Sequence, residues 1–115
     1  MAFSEIEQKR YEKAVETYLD SRRPPVEIRN KLDLGYRIDG QSIEIFEVRP
    51  KWNNPSENME SPIAKVKFNK SGNEWKIYWM RSDLKWHLYE PTPTVTSLEV
   101  FFEVLDADVY GSFWG

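Results

Sequence analysis

The spacing of apolar residues changes once along this chain of 115 residues, and that change limits the possible folds more than any other feature. Up to residue 22, apolar side chains recur three and four positions apart, as they do on one face of a helix. From Leu32 they recur at every second position, as they do on one face of a strand. The chain therefore begins with a helix and continues into a β-sheet.

The first helix carries signals for both of its ends. Ser4 followed by Glu7 is the pattern of a capping box, which marks a helix start. Pro24-Pro25 removes amide donors and disfavours helical geometry in the preceding residue, so the helix ends near Arg22. Its apolar stripe is predicted to consist of Tyr11, Ala14, Val15, Tyr18 and Leu19.

The first strand pair follows from a turn signal. Asp39-Gly40 is a dipeptide that two-residue hairpin turns favour, and it lies between two alternating segments. Folding about it pairs Tyr36 with Ile43 and brings the apolar side chains of both strands to one face. Phe46 points the other way, so we expect either a bulge beside it or a cover over the second face.

Alternation continues further along the chain. It predicts strands over residues 63–68, 74–81 and 85–89, joined by short turns. Residues 50–62 are rich in proline, asparagine and serine, and we expect them to form an irregular loop.

A second helix completes the expected fold. Thr96 with Glu99 forms another capping box, and a helical apolar stripe follows it. The sequence thus predicts a single α+β domain over residues 1–115. Its core is a five-stranded antiparallel meander sheet with the N-terminal and C-terminal helices packed on one face.

The last predicted hairpin concentrates the candidate functional residues. A turn centred on Asp83-Leu84 pairs Met80 with His87 and Tyr78 with Tyr89. The strand face turned away from the helices then presents a mixture of aromatic and cationic side chains: Lys76, Tyr78, Met80, Lys85, His87 and Tyr89.

The composition excludes several classes of site. There is no cysteine, so disulfides, thiolate metal sites and cysteine nucleophiles are absent. A single histidine without a metal-binding motif gives no reason to expect a metal or another cofactor. The longest apolar run, residues 77–80, is too short to cross a bilayer, and the N-terminus lacks the features of a secretory signal. We therefore expect a cytoplasmic protein.

Charge is distributed unevenly along the chain. Residues 49–87 contain eight basic and four acidic side chains, whereas residues 88–115 contain five acidic and no basic ones. The net charge is −3, and a domain that binds phosphates is normally basic. We therefore expect a partner protein or a second copy of the chain rather than nucleic acid.

Three segments carry a resemblance to a known family. They are Leu-Asp-Leu-Gly-Tyr-Arg-Ile-Asp-Gly-Gln-Ser at 32–42, Arg-Pro-Lys-Trp at 49–52 and the aromatic-rich stretch at 75–91. Together with Arg-Arg-Pro-Pro at 22–25 and the aromatic-glycine tail, they resemble a family of small bacterial proteins known as domain of unknown function 3024. The resemblance implies a small bacterial single-domain protein, and it assigns no activity, cofactor or site residue.

We expect a non-catalytic binding protein that uses the aromatic and basic sheet face together with the segment at 49–52. Aromatic side chains would serve as anchors, and basic ones would contact anions. The candidate binding residues are Arg49, Trp52, Lys76, Tyr78, Arg81, Asp83, Lys85, His87 and Tyr89.

Two alternatives stay open at this point. An enzyme acting on a small anionic substrate would use His87 as general base, Glu47 as its orienting acid, and Arg49 or Arg81 as an anion clamp. A single-stranded nucleic-acid binder would stack bases on the same sheet face.

The placement of two aromatic segments also bears on function. Trp52 is expected to fold back onto the body, because leaving a large aromatic side chain in water is costly. Phe113 and Trp114 would fill a groove of their own domain or of a second copy, and the sequence leaves both possibilities open.

Overall fold

The computed structural model describes residues 3–114 and begins with the expected helix. Helix α1 spans Glu5–Arg22. The Ser4 hydroxyl accepts a hydrogen bond from the backbone N–H of Glu7, and the Glu7 carboxylate accepts one from the backbone N–H of Ser4. The capping box is confirmed, and the helix ends where Pro24-Pro25 prevents its continuation.

The remaining elements form one antiparallel sheet and a second helix. A short 3-10 helix at Val26–Ile28 leads into the strands. These are β1 (Asp33–Asp39), β2 (Ser42–Lys51), β3 (Asn54–Asn69), β4 (Glu74–Met80), β5 (Trp86–Leu88) and β6 (Thr94–Val95), and helix α2 (Leu98–Ala107) follows them. The N-cap of α2 is Ser97, whose hydroxyl accepts from the backbone N–H of Val100, so the predicted capping box of Thr96 and Glu99 is wrong. The strand order is β1-β2-β3-β4-β5, so the predicted five-stranded meander and the α+β class are confirmed.

Strand β6 is an addition to the predicted fold. It pairs with β4 at Trp75 and Lys76, while β5 pairs with β4 from Tyr78 to Met80. Since β3 occupies the other edge of β4, strands β5 and β6 share one edge in succession. A two-residue strand has too little periodicity to be recognised in a sequence.

Both helices cover one face of the sheet. Their apolar stripes and the inward side chains of the strands form a single cluster. The side chains that are fully withdrawn from solvent are Val15, Ile43, Ile45, Val66, Ile77, Phe101 and Leu105. We call the opposite, uncovered side of the sheet the outer face. Neither helix in the described part of the chain is long and apolar enough to span a membrane.

The first hairpin has the predicted face but a different register. Tyr36 lies opposite Ile45, not Ile43, because the turn consists of Gly40 and Gln41 instead of Asp39 and Gly40. Gly40 has a φ of +61°, and a glycine at the first of two turn residues is typical of a type II′ turn. The register moves by two residues, so every side chain keeps its face.

Phe46 lies on the outer face. A bulge lies beside it, which is one of the two possibilities that the sequence suggested. The register between β2 and β3 shifts between Ile45 and Phe46. Phe46 is nevertheless 9% exposed, because the Arg37 guanidinium lies 4.6 Å from its ring centroid. Gly35 makes room below it, since a Cβ atom there would come within 2.7 Å of the ring. Both the bulge and the cover are therefore present.

The prediction of an irregular loop over residues 50–62 is wrong. Strand β2 continues to Lys51 and β3 begins at Asn54, so only Trp52 and Asn53 lie between them. Strand β2 pairs with β1 only as far as Val48, and β3 pairs with β4 only from Ala64 onward. The hairpin formed by the remaining parts of β2 and β3 therefore extends beyond the sheet. We call residues 49–60 the arm. Its prolines, which lack a backbone N–H, are compatible with strands because no strand among residues 3–114 pairs with the outer edges of the arm.

Candidate functional site

The single aromatic and basic surface predicted from the sequence is divided among three places. The extension of β2 and β3 beyond the sheet separates Arg49 and Trp52, and the turn after β4, which contains residues 82–84 instead of two residues, separates the residues of β5 from the outer face. His87 therefore lies opposite Trp79, not Met80, and Leu88 lies opposite Tyr78. A shift of one residue moves each β5 side chain to the other side of the sheet. The predicted grouping of His87 and Tyr89 with Tyr78 is wrong.

The outer face keeps three of the residues predicted for it, of which Lys76 and Tyr78 are candidate binding residues and Met80 is not. Lys76 and Tyr78 lie there, with Trp86 in place of His87. Lys67 lies directly opposite Lys76, and the Nζ atom of Lys65 lies 5.9 Å from the centre of the Trp86 ring. Among the described residues, none of these three lysines forms an ion pair, although Glu44 lies opposite Lys65 on β2.

The arm holds two further predicted residues. Arg49 donates to the Glu47 carboxylate at 2.8 Å, and Lys51 donates to Glu57 at 2.9 Å. Trp52, between the two strands of the arm, has 91% of its surface exposed. The expectation that Trp52 folds back onto the body is wrong, because the strands carry it away from the helices and the sheet.

Of the remaining predicted residues, Arg81, His87 and Tyr89 line a cleft between β5 and the chain after α2, whereas Asp83 and Lys85 lie in the turn before β5 and do not line it. We call this space, of about 510 Å³, the cleft. Arg81 and His87 line it, and Tyr89, which is 3% exposed, lies at its base. The guanidinium carbon of Arg81 lies 5.6 Å from the centroid of the Trp79 ring, and Tyr110 lines the opposite side.

The turn before β5 fixes the histidine. Asp83 accepts a hydrogen bond from the backbone N–H of Lys85 at 3.0 Å, and its other carboxylate oxygen lies 2.8 Å from His87 Nε2. The hydrogen bond with His87 holds the pKa of the Asp83 carboxyl below its usual value. Lys85 itself is exposed, and its carbonyl accepts from the Arg81 N–H. Leu84 closes the turn with a φ of +62°, a conformation that costs a leucine energy.

The catalytic arrangement considered from the sequence is not assembled. The acid that contacts His87 is Asp83, whereas Glu47 pairs with Arg49 on β2. Of the described residues that line the cleft, Arg81 and His87 belong to the expected set, and Arg49 does not line it. The imidazole therefore has an acidic partner and one nearby arginine, without the second arginine.

Sequence reasoning missed the residues after α2, which form a wall of the cleft. Asp108 ends the helix with a φ of +36°, and its carboxylate accepts from the backbone N–H groups of Phe113 at 3.1 Å and Trp114 at 2.8 Å. These bonds fold the chain back, so that Tyr110 faces the cleft and the Phe113 ring lies 4.8 Å from that of Tyr89. Asp108 followed by a glycine at position 111 is a turn signal that could have indicated this return.

The chain after α2 thus packs on its own domain. The indole N–H of Trp114 donates to the carbonyl of Leu105 at 2.9 Å, and the Arg22 guanidinium lies 3.9 Å from its ring centroid. Phe113 is 7% exposed. Burial raises the pKa of Tyr89, and the nearby Asp108 carboxylate raises it further.

Comparisons with known proteins identify a family and give no activity. No curated protein and no solved structure matches this chain significantly. The family description that does match covers residues 3–115, nearly the full length, and includes the arm, the turn before β5 and the chain after α2. The chain belongs to the family named for its domain of unknown function, DUF3024.

Proposed function

We propose that this chain is a non-catalytic binding protein that docks a partner protein through the tip of the arm, with Trp52 as the anchor. The observation that carries the proposal is the 91% exposure of an indole at the end of an extended hairpin. Exposed tryptophan in a folded domain forgoes the free energy of burial, roughly 2 kcal/mol for a large apolar side chain. Burial in a pocket of the partner would recover that free energy.

The residue types at the arm support a protein contact. Tryptophan, arginine and methionine are enriched where proteins bind one another, and tryptophan most often dominates the affinity. Met59, 43% exposed, lies opposite Arg49 on the same rung of the arm. An apolar anchor is thus accompanied by a second apolar side chain and by a cation that is held in place by Glu47.

The strand edges of the arm favour anchoring by the side chain over addition of a strand. The edge of β3 beyond Ala64 has no neighbouring strand among the described residues. It contains Pro55, Glu57 and Pro62, and proline or charge on an edge strand opposes pairing with another chain. The backbone of the arm is protected from strand pairing, whereas its indole is not covered.

The experiment compares Trp52→Ala with Leu84→Ala, a matched control. Leu84 is also apolar, 80% exposed and in a turn, but it lies outside the arm. A protein retained from an extract of the source cells by the wild type and by Leu84→Ala, but not by Trp52→Ala, is purified and its affinity measured by calorimetry. We expect Trp52→Ala to weaken binding by about thirtyfold or more, the effect of an anchor residue, and Leu84→Ala to leave it nearly unchanged.

Several results would overturn the proposal. Equal affinity of the purified partner for the wild type and for Trp52→Ala is one of them. A second is a dimer in light scattering that Trp52→Ala converts to a monomer, since the occupant would then be another copy of this chain. A third is tight binding of a single-stranded oligonucleotide that depends on Lys76 and Tyr78 and not on Trp52. We place the proposed contact in the bacterial cytoplasm, which cell fractionation checks.

A further inference from the structure

The cleft between β5 and the chain after α2 has the features of a ligand site that is separate from the arm. Its volume of about 510 Å³ lies within the range of small-molecule sites. Trp79 and Tyr110 supply apolar surface, and Arg81, His87 and Glu90 supply charged or polar groups. A few polar groups in an aromatic concavity are typical of a small-molecule site.

We propose that the cleft binds a small molecule that carries one carboxylate on a planar, apolar body. Arg81 is the group that would hold the carboxylate. Among the ion pairs formed by residues 3–114, none includes Arg81, so its guanidinium lacks an acidic partner. A guanidinium binds a carboxylate through two parallel hydrogen bonds, and the Trp79 ring 5.6 Å away supports it.

His87 supplies the second polar contact. Its Nε2 atom is engaged by Asp83, which the Lys85 backbone N–H holds in turn. The imidazole is therefore oriented before a ligand arrives, and Nδ1 is its remaining hydrogen-bonding atom. An oriented ring loses little conformational entropy when it forms a contact.

Glu90 limits the charge that the ligand carries. Glu90 lines the same cleft as Arg81. A two-hydrogen-bond contact with Arg81 pairs one carboxylate with one guanidinium and offsets the repulsion by Glu90, whereas a further negative charge would have no cation of its own among the described residues of the cleft to offset that repulsion. The chemistry thus favours a monocarboxylate over a phosphate monoester, which carries close to two charges at neutral pH.

Two aromatic side chains define the shape of the ligand's body. Tyr110, which is 71% exposed, and Trp79 both line the cleft, together with Tyr89, whose ring packs against that of Phe113. Flat rings of this kind accept another flat ring by stacking or by edge contact. A naphthalene or indole ring matches this surface better than a flexible polar chain.

The test uses 2-naphthoate, with 2-naphthamide as its neutral counterpart and 2-naphthyl phosphate as its dianionic one. Each is titrated into the full ¹⁵N-labelled chain, and the shifts of backbone amides are followed. We expect saturable shifts at residues 81, 87 and 110–112 with 2-naphthoate, and affinities at least about tenfold lower for the other two probes.

Variants assign the binding to the proposed groups. Arg81→Gln is expected to lower the affinity for 2-naphthoate by about tenfold or more, and Tyr110→Ala to lower it by a smaller factor. Arg49→Gln, which changes an arginine outside the cleft, and Trp52→Ala are expected to leave it unchanged. Because Trp52 is not involved, failure of the arm to bind a protein would leave this result unaffected.

Three outcomes would overturn the inference. One is equal affinity for 2-naphthoate and 2-naphthamide, which would show that the carboxylate is not recognised. Another is unchanged affinity in Arg81→Gln, with the spectrum of the folded protein retained. The third is the lack of any saturable shift in the cleft at millimolar probe.

Discussion

Trp52 and Trp114 both lie in segments with residues typical of turns, but their environments in this molecule are opposite. Trp52 joins the strands of the arm and is almost fully exposed. Trp114, near the end of the chain, donates its indole N–H to Leu105 and lies against the Arg22 guanidinium. Both indoles could gain free energy from burial, but only Trp114 has groups within its reach that provide it.

The difference depends on what precedes each tryptophan. Asp108 binds the backbone N–H groups of Phe113 and Trp114 and turns the chain back onto α2. The residues before Trp52 pair with β3 instead, and this pairing carries the indole outward. The exposure of Trp52 therefore follows from the backbone around it, which is paired in a structure that prevents burial of the indole.

The most direct test of this comparison removes each indole in turn. Trp114→Ala deletes a packed ring, a hydrogen bond and a cation contact, and we expect it to lower the free energy of unfolding by about 3 kcal/mol. Trp52→Ala is expected to change it by less than about 0.5 kcal/mol. Urea unfolding followed by circular dichroism measures both. Equal losses in the two variants would contradict the distinction between a structural and a functional tryptophan.

The second prediction concerns the anchor of the chain after α2. Asp108→Asn tolerates the left-handed backbone but leaves one of the two N–H groups without a carboxylate oxygen. We expect a loss of about 1–2 kcal/mol in the free energy of unfolding, together with weaker shifts of Tyr110 and Gly111 in the 2-naphthoate titration. Asp39→Asn, a change in an exposed residue at the end of β1, is the control. An unchanged stability of Asp108→Asn would show that packing of Phe113 alone holds the wall of the cleft.

The third prediction compares an ion pair of the body with one of the arm. Asp33 accepts two hydrogen bonds from Arg23, at 2.8 and 2.7 Å, which hold the pKa of its carboxyl below the usual value. A lowered pKa stabilises the fold above the pKa of the unfolded chain, near 4, and this contribution disappears as the pH falls through the folded value. At neutral pH we expect Asp33→Asn to cost about 1 kcal/mol and Glu57→Gln, in the arm, less than about 0.5 kcal/mol.

The measurement is urea unfolding at a series of pH values from 7 down to 2. The difference between the wild type and Asp33→Asn should shrink as the pH falls below about 4, whereas Glu57→Gln should follow the wild type throughout. A constant difference for Asp33→Asn would show that its effect does not arise from the charge of the carboxylate.

Local patterns predicted most of the framework. The capping box at Ser4, the apolar stripes of both helices and the face of each early strand follow from spacing alone, because spacing reflects geometry within one element. The choice of Arg81 and His87 as neighbours was also reached from the sequence, since both flank one turn. The acid that contacts His87 was not predicted, because the sequence suggested Glu47 and the turn of residues 82–84 places Asp83 beside the imidazole instead.

The register between β4 and β5 and the extended structure of the arm could not be predicted from local patterns. A turn of residues 82–84 in place of two residues moves Tyr89 into the core and Trp86 to the outer face. The difference between these turns is small in local free energy, and the burial of Tyr89 against Phe113 favours the longer turn. Residues 50–62 contain three prolines and read as a loop, although the strand edges of the arm accommodate proline.

The sequence by itself therefore determined both α-helices and the five strands of the meander apart from the arm, which side of each early strand faces the core, and that no site in this chain depends on cysteine. The tertiary structure alone decided that Trp52 is exposed, that Trp114 is packed and that Arg81, His87 and Tyr110 meet at one cleft. The physical reason is that spacing along a chain encodes contacts within an element, whereas exposure and convergence depend on residues that are distant in sequence and compete to bury the same surface.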